Sequence, residues 1–240
     1  MARTLNPEVH MVRRDAFIEA AQRLMQTRGW EQMSIQDVLD DVGASRGAFY
    51  HYFDSKQALL EDVIGRMVDA GLASVEPLMV NPRLPAAEKL VQVFSQIGRW
   101  KTDRRELILA FLDVWLSDDH AVVREKFRHQ LVGQFVPVLT RIVSQGLAEG
   151  SFHVESAEAT ARVLMMLLQG MQDEALQLFV ARQANTIGYD EVEARFASYA
   201  RAFERVLGVD AGSIRLIDRS ILKAWYGSST RRPHGIDHRS

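Results

Sequence analysis

Between Ser34 and Lys56 the chain gathers side chains suited to holding phosphate and reading base edges, in the stretch SIQDVLDDVGASRGAFYHYFDSK. Ser34 and Ser45 stand where short helices would begin, and there a hydroxyl and free backbone N–H groups can meet an anion. Arg46 offers a planar fork that matches guanine O6 and N7. Tyr50, His51 and Tyr52 can donate hydrogen bonds to phosphate oxygens or lie against thymine methyls. Gly47 removes a side chain where a groove must be approached closely, and Lys56 supplies a point charge. The same residues also allow plainer roles: Arg46 as a phosphate contact only, Tyr50 as a partly buried ring, His51 as an ordinary surface residue.

Other chemistry is thinly represented. The sequence has no Gly-rich phosphate loop, no GxSxG elbow and no HExxH. It has no cysteine, which excludes a disulfide framework, a thiolate zinc site and a Cys nucleophile. The seven histidines are scattered, and His234 and His238 share an i, i+4 spacing only in a terminal stretch, GSSTRRPHGIDHRS, that reads as disordered. No catalytic residue, cofactor or metal site is expected.

The elements that must position Ser34 to Lys56 read as helices. Asn6-Pro7-Glu8 is a helix-start signal, and Val9, Val12, Ala16, Phe17, Ala20 and Leu24 follow on one face until Gly29. A short helix runs from Ile35 to about Asp41, Gly43 allows a sharp turn, and a second short helix runs from Arg46 to about Tyr52. Phe49 and Phe53 fall inward at i and i+4, leaving the opposite face for contact. Asp54, with Gln57 three residues on, caps the next helix, which fades near Pro77. Further helices are expected near 86–101, 104–117, 119–149, 155–183 and 189–207, with a kink at Pro137 and a short docking helix between Ser213 and Tyr226. No strand run and no repeat is evident.

Composition sets limits. The chain has 240 residues, 47% hydrophobic and 25% charged, so disorder throughout is excluded. Net charge is −2, and residues 1–60 carry 7 Lys and Arg against 8 Asp and Glu, so bulk charge does not point to nucleic acid. The burden falls on a motif and a local face. Asp37, Asp40 and Asp41 add carboxylates beside that face, and at least two must turn away if phosphate is to approach. No run approaches 18 uncharged apolar residues and the N-terminus lacks an apolar signal segment, so the reading is cytoplasmic, with no membrane partner.

The stretch from Gly29 to Leu60 resembles the N-terminal DNA-binding region of TetR-family (tetracycline-repressor-type) transcriptional regulators. The matching residues are Gly29, Trp30, Ser34, Ile35, Asp37, Gly43, Ser45, Arg46, Gly47, Phe49, Tyr50, Tyr52, Phe53, Ser55, Lys56 and Leu59. Leu39 and Val42 depart from it, standing where the family commonly has alanine. The resemblance implies an all-α fold: an N-terminal three-helix helix-turn-helix DNA-binding domain at 1–56, and a larger helical ligand-binding and dimerisation domain at 57–209. Residues 210–240 would form a partly disordered extension. It further implies a homodimer on a double-stranded, pseudo-palindromic DNA operator, released by a small-molecule effector of unknown class. DNA contacts would come from Ser34, Ser45, Arg46, Gly47, Tyr50, His51, Tyr52 and Lys56. A helical ligand-binding or scaffold protein with a silent headpiece is the alternative.

The body is read more loosely. Phe94, Trp100, Phe111, Trp115, Phe127, Leu131, Met165 and Met166 are bulky or adaptable groups suited to an apolar effector cavity, although such residues also serve as plain core. In the helix near 155–183, Ala161, Leu164, Leu168 and Met171 follow a 4-3 spacing, and a second apolar row holds Val163, Met166, Leu167 and Gly170. A surface this wide needs two partners, so the first row, with Phe196 and Phe203 of the next helix, is assigned to a dimer interface.

Overall fold

The computed structural model describes residues 7–227, with side chains from residue 10 onward except 113. The Asn6 cap and the pair His234 and His238 lie outside these residues. The described chain is helical, without strands. Its helices are α1 (Pro7–Arg28), α2 (Ile35–Val42), α3 (Arg46–Tyr52), α4 (Lys56–Ala73), α5 (Glu76–Met79), α6 (Ala86–Asp103), α7 (Arg105–Ala110), α8 (Leu112–Leu116), α9 (Ala121–Glu149), α10 (Ala157–Gln183), α11 (Tyr189–Leu207) and α12 (Arg219–Tyr226), with a 3-10 turn at Asp118–His120.

Two compact units are present. The first runs to Ala73 and takes in Asp103–Leu131; the second comprises Ser74–Thr102 and the chain from Val132 onward. The unit that carries the short helices therefore extends well past residue 56, through α4, α7, α8 and the start of α9. Its core joins Phe17, Ile18, Ala21 and Met25 of α1 to Val38 and Leu39 of α2, Phe49 of α3, Leu59, Leu60 and Val63 of α4, and Leu107, Phe111, Val114 and Val123. Among the described side chains of α1 full burial begins at Phe17: Val12, expected on the inward face, is 68% exposed.

Local chemistry explains these boundaries. Ser34 caps α2 in a reciprocal box with Asp37, and Gly43 ends it in a left-handed conformation at φ 68° that a side chain would strain. Ser45 caps α3 by accepting from the Ala48 N–H. α4 is capped by Ser55, whose hydroxyl accepts from the Ala58 N–H at 3.0 Å, and not by Asp54. Gln57 does not close a capping box; it reaches forward to Glu61. Pro77 does not close α4 but sits in the first turn of α5, where a missing N–H costs nothing. The helix expected at 104–117 is two, because the chain tightens at Phe111, whose N–H turns to the Ile108 carbonyl.

In the second unit, Val93, Leu139, Ile142, Val143, Leu164, Val192, Phe203 and Leu207 are fully or almost fully buried. α9 is long and apolar enough to cross a membrane by length and composition alone; on it Val123, Phe135, Leu139, Ile142 and Val143 are buried against protein. Pro137 lies inside α9 without ending it.

The C-terminal extension is part of this unit as far as it is described. The buried Glu204 carboxylate accepts from the Gly212 and Ile214 N–H groups at 2.8 and 3.1 Å. α12 then packs where Gly98 leaves room for Ile221; a Cβ at Gly98 would fall 2.6 Å from it. Trp225 donates to Thr102, and the Tyr226 hydroxyl donates to the Ala175 carbonyl. Burial pushes the Tyr226 hydroxyl pKa far up, so it stays a donor.

Candidate nucleic-acid interface

The first unit presents α3 with one face closed and the other open. Phe49 is completely buried, and Phe53 just beyond the helix is almost so. Ser45, Arg46, Gly47 and His51 are exposed, and Tyr50 is 45% exposed. The Arg46 guanidinium stands 6.0 Å from the Tyr50 ring centroid and has no ion-pair partner among the described residues. A Cβ at Gly47 would meet no atom within 4 Å. None of the described residues needs a glycine there, whereas close approach by an external surface would.

The three rings differ in role. Tyr50 is the open one. Tyr52 is half-buried against Phe17 and the core, and its ring also lies 4.6 Å from that of His10. His51 stays exposed beside both, 5.0 Å from Tyr52 and 5.5 Å from His10. Tyr52 is thus chiefly a packing residue that sets the shelf on which His51 stands.

Ser34 requires a correction. Its hydroxyl donates to the Asp37 carboxylate at 2.7 Å, its backbone N–H donates to the same oxygen at 2.8 Å, and its oxygen accepts from the Asp37 N–H. An internal carboxylate already occupies the place assigned to phosphate, so the Ser34 side chain is a cap. These hydrogen bonds, with the Arg28 guanidinium beside it, hold the Asp37 carboxyl below its usual range.

Lys56 is held in place. Its ammonium donates to the Trp30 carbonyl at 2.7 Å and lies 4.4 Å from the centroid of the Trp30 ring. An ammonium has three N–H donors, so two remain for phosphate. Partial burial lowers its pKa, opposed by Glu31 and Asp37. Sequence reasoning missed this clamp, since residues 30 and 56 meet only through the packing of the turn after α1 on the start of α4.

The acidic trio is engaged. Asp37 pairs with Arg28 at 2.6 Å, Asp41 with Arg23 at 2.5 Å, and Asp40 accepts from Gln36 at 2.8 Å. Leu39 is buried and Val42 packs against the same core, so both departures from the family pattern are absorbed as packing.

The residues assigned to an effector cavity divide between the two units. Phe111, Trp115 and Phe127 pack edge-on in the first unit, with centroids 6.4 and 5.0 Å apart, and join its core. Leu131 ends that unit, whereas Phe94, Trp100, Met165 and Met166 belong to the second. There Phe94 stacks edge-on against Phe203, Met165 is buried, Trp100 is half-buried, and Met166 is 70% exposed, on an open helix face instead of a pocket wall. Phe127 lines a cavity of about 580 Å³ in the first unit, among Arg14, Asp62, Arg66 and Lys126. A second, of about 470 Å³ between Val136, Pro137 and Arg162, contains none of the eight.

The dimer assignment is also corrected. Ala161, Leu164, Leu168, Phe196 and Phe203 are buried inside one chain, and Met171 is half-buried. A side chain already enclosed by its own core cannot meet a second copy. The other apolar row of α10 is the open one, with Val163 and Met166 exposed.

Comparison with known proteins gives a consistent result. Residues 17–63 match the model of bacterial regulatory proteins, tetR family. The chain is 30% identical over 142 residues to the transcriptional repressor KstR2 of Rhodococcus jostii, covering 58% of this chain and 68% of the relative. It is 23% identical over 197 residues to the transcriptional regulator YfiR of Bacillus subtilis, covering 78% and 93%. A TetR transcription regulator from Haloarcula marismortui shares the fold, with a TM-score of 0.57 at 19% identity over 70% of this chain and 88% of that one. With α2 and α3 forming the helix-turn-helix and α3 presenting its open face, this chain belongs to the tetR family of bacterial regulatory proteins and is a helix-turn-helix transcriptional regulator.

Proposed function

We propose that the protein is a homodimeric repressor that acts in the cytoplasm by binding and not by catalysis, with α3 of each subunit entering successive major grooves of a pseudo-palindromic operator. The observation that carries this is the division of α3: Phe49 is buried, while Arg46, Gly47, Tyr50 and His51 are open and Gly47 faces empty space. Arg46 is the base-reading residue, Tyr50 and His51 contact phosphate or thymine methyls, and Lys56 holds phosphate. Ser45 caps the reading helix. The pairing of Asp37 with Arg28 and of Asp41 with Arg23 supports the reading, because it limits repulsion of phosphate.

Two copies would meet through the exposed side of α10, around Val163 and Met166, not through its buried row. A small-molecule effector, taken up in the second unit, would favour a conformation with weaker DNA affinity, limited by its differential affinity for the two states. The name of the KstR2 relative, a transcriptional repressor, favours repression over activation.

The test is selection of bound duplexes from a random DNA pool at about 150 mM salt, an ionic strength at which charge alone gives weak binding. Enrichment of one inverted repeat supports the reading. A folded dimer that enriches nothing favours a silent headpiece on a ligand-binding scaffold.

A further inference from the structure

We propose that His120 is a positioning residue for DNA binding: from the turn between α8 and α9 it holds the Glu31 carboxylate away from Lys56, keeping that ammonium available to phosphate. This rests on the reading of Lys56 as a phosphate contact.

The geometry lies within the first unit. His120 Nε2 is 2.8 Å from Glu31 Oε1. The histidine side chain is 15% exposed and the glutamate side chain 56%, so the histidine is the fixed partner and the glutamate the movable one. The His120 ring stands edge-on to Trp30, centroids 6.4 Å apart, and Trp30 is buried. Lys56 sits over the same indole and bonds to the Trp30 carbonyl. Glu31 is the next residue in the chain, and its charge already acts on Lys56.

Two of the neighbouring carboxylates have other partners. Asp37 is bound by Ser34 and Arg28. Asp118, on the same turn as His120, lies 4.0 Å from Arg124, which also donates to the Ser117 and Val114 carbonyls. Asp119 is exposed. Glu31, next in the chain to the Trp30 that Lys56 is bonded to and already acting on that ammonium, is the carboxylate that would turn to Lys56 when His120 is lost. A Lys56–Glu31 pair carries no net charge and would release no counterion on meeting phosphate. Because Lys56 contributes charge and not base readout, the loss would be the same for every sequence.

The experiment measures binding of a labelled mixed-sequence duplex and of the selected operator duplex across a salt series. His120→Leu should weaken both about fivefold and flatten the log–log salt slope by up to about one unit. His120→Gln keeps a donor toward Glu31 and should stay within about twofold of wild type. In a Glu31→Gln background His120→Leu should lose its effect, and likewise in Lys56→Met. Thermal melts check folding, and His120→Ser replaces His120→Leu if that variant does not fold. An equal loss with and without Glu31 would make the histidine a mere prop of the turn and overturn the proposal. So would wild-type binding by His120→Leu while Lys56→Met binds weakly. Unchanged binding by Lys56→Met would instead sink the reading of Lys56, and the proposal with it.

Discussion

Ser34 and Asp37 cap one another, the carboxylate accepting from both the hydroxyl and the N–H of Ser34 while the serine oxygen accepts from the Asp37 N–H. Ser34→Ala should therefore cost about 1 kcal/mol of stability, the usual value of an N-cap. The pH dependence follows from the same contacts. The folded-state pKa of Asp37 lies below its ordinary value of 3.8. Its contribution is present above that value and is lost as pH falls through the lower folded-state value. Thermal melts of wild type and Asp37→Asn should differ at neutral pH and converge in acid.

Gly47→Ala separates folding from recognition. The added methyl meets none of the described residues, so helix propensity should raise stability by about 0.5–1 kcal/mol. Against DNA the same methyl should cost about 1–3 kcal/mol, as overfilling a closed contact does. A melting temperature at or above wild type with weaker operator binding is the expected pair of results.

Arg46→Ala should cost about 1–3 kcal/mol on the selected operator and relax preference at one base pair, leaving mixed-sequence binding nearly intact. Binding measured across single-base operator variants reads this directly.

The two faces of α10 should respond in opposite ways. Met166→Asp places a carboxylate on the exposed row and should weaken dimerisation by about 3–5 kcal/mol while the subunit stays folded, as sedimentation and circular dichroism would show. Leu164→Ala removes a fully buried side chain and should instead cost about 2–5 kcal/mol of folding stability.

Glu204→Ala would leave the Gly212 and Ile214 N–H groups without their acceptor, at about 1–3 kcal/mol. Proteolysis should then cut first between Gly208 and Asp218, well before the helical parts of the second unit.

What was legible in the sequence was local. Ser34, Gly43 and Ser45 act on neighbours within a turn, so α2 and α3 could be bounded closely from residue types alone. Phe49 and Phe53 could be turned inward from spacing. The Lys56 clamp on Trp30 and the His120 contact with Glu31 span 26 and 89 residues, and no periodicity carries such pairings. On α10 two apolar rows satisfied the same helical spacing. Only the packing partners decided that Leu164 goes inside and Met166 stays out. Phe111, Trp115 and Phe127 could be recognised as bulky and apolar, but not as members of the core that supports α3.

The division of the chain into units also orders its assembly on the ribosome. The first unit is complete once Leu131 has emerged, whereas the second lacks α12 until Tyr226 has been made. At roughly 5–20 residues per second the headpiece has some 5–20 s in which it can fold while the rest is still being synthesised. A nascent chain arrested between Leu131 and the start of α10 would carry a finished reading helix without α10 or α11, and so without the surface proposed to bring two reading helices together. Such a product would hold half an operator at best, and the pairing of two headpieces must wait until α10 has been made.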